Sequence, residues 1–154
     1  MMKETMKMVQ DDLFGECLGI FDENGKLVQK VFEDGMIDFC KDNDIITKTI
    51  FGNGKVEFYS EDGYYITKVI NPDGYAWYFD ENENCIKSVF PDGSVHFYGK
   101  DEKIIKVVDQ YGETSFYDEN GNLIKTVYPD GRMKFYDGNR VVKRISKDGE
   151  IEEY

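Results

Sequence analysis

The sequence is short of most of what catalysis, metal binding and secretion use. It holds one histidine, one tryptophan, three prolines and three cysteines in 154 residues. A single histidine, His96, leaves little for a nucleophile triad built on imidazole. Cys17, Cys40 and Cys85 are scattered, with neither disulfide-framework nor metal-ligand spacing. No stretch approaches the ~20 apolar residues of a membrane-spanning helix. The opening MMKETMKMVQDDLF has no apolar signal-peptide core. Basic residues are also scarce, with 19 Lys and Arg against 31 Asp and Glu and a net charge of −12. Both halves share the deficit, with 8 basic against 15 acidic residues in 1–77 and 11 against 16 in 78–154. A nucleic-acid binder led by phosphate contacts needs a basic face. Together these absences predict a soluble, cytoplasmic protein with no cofactor and neither nucleic acid nor membrane as a partner.

Glycine and aromatics are plentiful, and the glycines are periodic. Gly35, Gly54, Gly74, Gly93, Gly112, Gly131 and Gly149 recur at intervals of 18 to 20 residues. Three of them close a Pro-Asp-Gly triplet, at 72–74, 91–93 and 129–131. Proline suits the first central position of a type I turn. Glycine suits the left-handed position that follows in a three-residue hairpin loop with a bulge. A second turn alternates with the first, as Asp22-Glu23-Asn24-Gly25, Asp80-Glu81-Asn82-Glu83-Asn84, Asp118-Glu119-Asn120-Gly121 and Asp137-Gly138-Asn139. The segments between turns are short and rich in Val, Ile, Tyr and Phe, so they read as about fifteen strands from Cys17 onward. The predicted fold is all-β: an elongated antiparallel meander of ~19-residue hairpin repeats. Residues 17–154 form the single repeat domain, and residues 1–16 an N-terminal arm or short helix with Met2, Met6 and Val9 on one face.

Stacking the repeats on the anchor glycine gives columns of like residues. Strand side chains alternate between faces, so the columns sort by parity. One face carries the aliphatic row Val89, Val95, Val108, Thr114, Val127, Met133, Ile145. Beside it runs Lys87, Phe97, Lys106, Phe116, Lys125, Phe135, Lys143. The other face carries Ile86, Tyr98, Ile105, Tyr117, Ile124, Tyr136, Val142 among serine, threonine and charge. A sandwich needs one dry face per sheet, and a lysine row across it would cost several kcal/mol per unpaired ion. Lysine stems lying over phenylalanine rings suit a single-layer sheet wetted on both faces. A sheet rolled into a shell or β-solenoid is the alternative.

Chemistry finds little to stand on here. His96 reads as a strand residue in a variable column. Most carboxylates sit in turns, where they cap backbone amides. Asp80, Asn82 and Asn84 have the spacing that opens a calcium loop, but Cys85 stands where glycine is needed and Pro91 where glutamate is needed. No catalytic residue and no metal ligand is predicted. Trp77 interrupts a polar column beside Tyr75, Tyr78 and Phe79, the most aromatic stretch of the chain. Trp and Tyr dominate binding hot spots. The candidate partner-binding residues are therefore Trp77, Tyr75 and Tyr78 with the ladder Lys87, Phe97, Lys106, Phe116, Lys125 and Phe135.

The hairpins Phe90-Pro91-Asp92-Gly93 and Tyr128-Pro129-Asp130-Gly131, with lysine-bearing strands between them, resemble the G-box repeats at the C-terminus of centrosomal T-complex-like proteins. That resemblance implies a free-standing antiparallel sheet that binds a segment of another protein. The run Tyr117-Asp118-Glu119-Asn120-Gly121-Asn122-Leu123 is similar to a YD, or Rhs-type, repeat, which implies a fragment of a surface or toxin shell. The functional expectation is a non-enzymatic scaffold that binds a protein or peptide segment, with self-association through the end strands. An acidic inhibitor or immunity-type protein blocking a basic site is the alternative from a different class.

Overall fold

The turn glycines meet their expectation residue by residue. In all seven anchor turns the glycine N–H donates to the carbonyl three residues earlier, as in Gly93 to Phe90 at 2.9 Å and Gly131 to Tyr128 at 2.9 Å. The residue before the glycine explains the Asp-Gly and Asn-Gly preference. Its side-chain oxygen accepts the N–H just past the turn, in Asp34 to Met36, Asn53 to Lys55, Asp92 to Ser94 and Asp130 to Arg132. In the alternating turns Asp22 and Asp118 each take two backbone N–H groups. The Lys26 N–H bound to Asp22 and the Asn122 side chain bound to Asp118 hold these carboxyls below the usual range.

The structure, a computed structural model, describes residues 4–154. Its strands are β1 (Thr5–Asp11), β2 (Gly15–Phe21), β3 (Leu27–Val31), β4 (Ile37–Cys40), β5 (Ile46–Ile50), β6 (Val56–Tyr59), β7 (Ile66–Ile70) and β8 (Ala76–Phe79). They continue as β9 (Cys85–Val89), β10 (Val95–Tyr98), β11 (Ile104–Val108), β12 (Thr114–Tyr117), β13 (Leu123–Val127), β14 (Met133–Asp137), β15 (Arg140–Ile145) and β16 (Ile151–Glu153). Short 3-10 turns cover Asp42–Asp44 and Lys100–Glu102. Strand order in the sheet is sequence order. Two compact units divide the chain, the first running to Gly74 and taking in Phe79–Glu83, the second comprising Tyr75–Tyr78 and Asn84–Tyr154. Each is an antiparallel meander one layer thick. Among the described residues no helix is long and apolar enough to cross a membrane.

The start of the chain departs from the arm or short helix expected there. Residues 1–3, Met2 among them, lie outside the described residues. Thr5–Asp11 is a strand, because β2 offers it a full edge with seven register pairs, Thr5 opposite Phe21 through Asp11 opposite Gly15. The connecting turn is closed by Asp11, whose Oδ1 accepts the N–H groups of Leu13 and Phe14 at 2.9 and 3.0 Å. Burial works against the Asp11 charge, yet Lys30 at 2.9 Å and these two amides hold its carboxyl below the usual range. Beside this hairpin Cys17, Phe32 and Met36 form a small apolar cluster with Val9 and Phe51 against it.

Regular alternation holds at the Pro-Asp-Gly side and fails at the other. Every connection whose register is given there contains a bulge. Lys106 pairs with Phe97, but Ile104 pairs with Tyr98, so Ile105 is the extra residue. The same shift leaves out Val28, Thr47, Thr67, Ile124 and Val142. A bulge bends the strand and re-aims a side chain. Ile105 and Ile124, with Ile86 in the same column, end up 43%, 43% and 44% exposed.

Several of the most buried positions are hydroxyls and a carboxylate, Asp38 and Thr49 in the first unit and Ser88 and Thr126 in the second, in the columns read as the polar side of the second face. In the second unit the cross-strand row is Ser88, His96, Val107, Ser115, Thr126, Lys134, Arg144, Glu152. Ser88 is fully buried and Thr126 is 2% exposed. Tyrosines cover them. The Tyr98 hydroxyl shares a hydrogen bond of 2.9 Å with Ser88 Oγ, and the Tyr136 hydroxyl lies 3.5 Å from Thr126 Oγ1. A single layer therefore acquires buried hydroxyls without a second sheet. Tyr98→Phe would strand the Ser88 hydroxyl and should cost about 1–2 kcal/mol in urea denaturation. A denaturation midpoint equal to that of the parent would show that this cover does not stabilise the sheet.

Candidate functional site

The lysine–aromatic row is one continuous cross-strand line in the second unit. Its register is Lys87, Phe97, Lys106, Phe116, Lys125, Phe135, Lys143, Glu153. Each ammonium lies over a ring. Lys106 Nζ is 4.8 Å from the Phe97 centroid and 5.8 Å from that of Phe116. Lys125 Nζ is 5.6 Å from Phe116 and 5.4 Å from Phe135. Lys87 Nζ sits 3.9 Å over Tyr78, and Lys143 Nζ 5.9 Å from Phe135. In the first unit Gln29, Phe39, Lys48, Phe58 and Lys68 form the corresponding register, with Lys48 Nζ 4.1 Å over Phe39. The rings are half-buried, so both ring edges and ammonium groups stay open to a partner.

The nine candidate residues fall on two faces. Tyr78 joins the six ladder residues on one. Trp77, its neighbour along β8, points to the opposite face by alternation. Tyr75 packs edge-on to Phe90 at 5.2 Å, and Phe90 meets His96 at 4.5 Å. The aromatic stretch read as one patch is thus split, and His96 is a packed strand residue. Sequence reading passed over the cavity lined by Tyr128, Arg132, Lys134 and Arg144. Its one available signal was the confinement of all three arginines to residues 132–144.

Burial raises the thiol of Cys17 and that of Cys85, and pushes Cys40 up to about 11, so thiolate is scarce at neutral pH. Among the described residues no group of three His, Cys, Asp or Glu side chains is placed to hold a metal ion.

No protein-family profile matches the chain, and no curated protein matches it. Solved structures do. The TCP10 domain of Danio rerio CPAP, in complex with a peptide of Danio rerio STIL, superimposes with a TM-score of 0.60 at 18% identity, covering 97% of each chain. The fold is similar to that of the CPAP TCP10 domain. A CPAP G-box domain structure aligns at 19% identity and TM-score 0.47, over 97% of this chain and 98% of that one. The SAS-4 TCP domain of Drosophila melanogaster, in complex with a proline-rich motif of Ana2, aligns at 19% identity and TM-score 0.41, over 97% and 89%.

Proposed function

We propose that this chain is a non-enzymatic scaffold that binds an extended peptide across its ladder face. The observation that carries this reading is the unbroken Lys–Phe register from Lys87 to Lys143 on a sheet face with no layer over it. Its spacing suits a chain crossing the strands. Strands lie ~4.8 Å apart, so the ladder repeats about every 10 Å, and a polyproline II segment, with three residues per turn and a rise of ~3.1 Å, returns every third side chain to one face at about that interval. Lysines favour carboxylates, and ring edges favour aromatic residues or prolines, so the segment carries mixed charge with aromatics or prolines. The zebrafish domain of similar fold, solved with a bound STIL peptide, supports the same reading.

A displayed peptide library panned against the full chain tests it. Enriched peptides should lose about tenfold or more in affinity for a Lys106→Ser, Phe116→Ser double variant. Trp77→Ser, on the opposite face, should leave their affinity unchanged. No enrichment above a scrambled library, or binding that survives the double variant in a chain whose circular dichroism is intact, would overturn the proposal.

A further inference from the structure

One cross-strand pair breaks the pattern of its row. Lys134 and Arg144 lie directly opposite each other on β14 and β15. Like charges so placed repel and cost stability. Elsewhere along the register given above no charge faces its like; Lys134 has Thr126 on its other side and Arg144 has Glu152. The pair is also held rather than splayed. Arg144 Nη1 donates to the Tyr154 hydroxyl at 3.0 Å, its guanidinium carbon lies 5.2 Å from that ring, and the same hydroxyl donates to Glu152 Oε2. Lys134 Nζ lies 5.2 Å from the Tyr128 centroid, and Arg132 covers the same ring at 5.0 Å. Arg132 is paired with Asp130 at 2.7 Å, whereas among the described residues Lys134 and Arg144 make no direct ion pair, Arg144 reaching Glu152 only through the Tyr154 hydroxyl. These cations border an open cavity of about 380 Å³ whose rim carries Glu150 and Glu152.

Local rules are broken at functional sites more readily than elsewhere. A repulsive pair, fixed from both sides in a chain of net charge −12, is matched to an anion. Guanidinium offers paired donors to carboxylate or phosphoryl oxygens. The two rim glutamates limit the anion to one compact group and repel a polyanion. We propose that this cavity is an oxyanion site, where Lys134 and Arg144 receive a carboxylate or phosphoryl group on a side chain of a partner protein. It lies on the face opposite the ladder and stands independently of the peptide reading.

Nuclear magnetic resonance of the 15N-labelled full chain tests it, with phenyl phosphate and 3-phenylpropionate as separate probes at constant ionic strength. Saturable shifts are expected in amides of β14, β15 and the turn at Tyr128. Lys134→Gln and Arg144→Gln should each weaken binding about tenfold. Lys100→Gln, in the second 3-10 turn and outside both the ladder and the cavity, should not change it. Saturation by phenyl phosphate alone assigns a phosphorylated side chain, and saturation by 3-phenylpropionate alone an acidic one. Lys134→Gln should also leave thermal stability unchanged or higher, because it removes the repulsion, so lost binding would not reflect lost fold. Shifts from both probes that fail to saturate, that spread over surface lysines, or that persist in both cavity variants would overturn the site.

Discussion

Thr49→Val should lower the unfolding free energy at pH 7 by about 2–4 kcal/mol, the cost of stranding a buried carboxylate. Asp38 is 3% exposed, and its Oδ1 accepts a 2.5 Å hydrogen bond from Thr49 Oγ1 across β4 and β5. Valine keeps the shape and removes the donor. Asp38→Asn, by contrast, should leave stability at pH 7 at or above that of the parent, because it removes the buried charge and keeps an acceptor. The pH dependence follows from the direction of the shift. Burial raises the Asp38 carboxyl above its usual value of 3.8. The folded state therefore holds this proton more tightly than the unfolded state, and acidification through the raised value favours the fold at this site. The deficit of Thr49→Val should narrow as pH falls and Asp38 neutralises. The turn carboxyls act in the opposite sense. Asp22, Asp92 and Asp118 sit below their usual value, so the stability they add is present above it and lost as pH falls through the lowered values. Denaturant titrations of both variants from neutral to mildly acidic pH decide the matter. A Thr49→Val deficit that stayed constant with pH would show that Asp38 is not the stranded group.

Gly63→Ala should cost about 2–3 kcal/mol, the sum of a left-handed backbone penalty and a steric one. Gly63 has φ +79°, and an added Cβ would fall 2.9 Å from Ile45 Cγ2 and 3.3 Å from the Ile46 carbonyl oxygen. The turn cannot retreat easily, because buried Ser60 is bound by both Tyr64 and Tyr65 amides. Gly121 supplies the control. It has φ +83° with no atom within 4 Å of the added carbon, so Gly121→Ala should cost only the backbone part, about 1–2 kcal/mol. Urea midpoints of the two variants separate the contributions. Equal losses would mean that the approach of Ile45 does not constrain the turn.

These residues also mark where sequence reading succeeds and stops. The anchor turns, the pairing of Val89 with Val95 and of Lys87 with Phe97, and the Lys–Phe order were legible because each follows from local turn chemistry and a period of two. The bulge at Ile105 was not, since an extra residue in one strand shows only when both strands are paired. Ser88 read as polar and wetted, because nothing in its column says that the Tyr98 side chain bends over it. The strand Thr5–Asp11 was missed because its apolar residues are sparse and its stability comes from β2. The ladder half of the candidate site was legible as a column. The cationic cavity was not, because Lys134 and Arg144 belong to variable columns, where Trp77, His96 and Ser115 or Val69, Ser88 and Val107 stand in other repeats.

The covered hydroxyl line changes how stability scales with chain length. In a globule the buried fraction rises as the chain grows, since volume outruns surface. Here the cover of Ser88 is a tyrosine from the neighbouring strand, and that of Thr126 likewise. Each of these two hairpins therefore brings both its interior and its lid. Lengthening such an array adds interior in proportion to residues and never faster. The burial within any one repeat is already at its limit, and a longer chain would gain span without gaining depth.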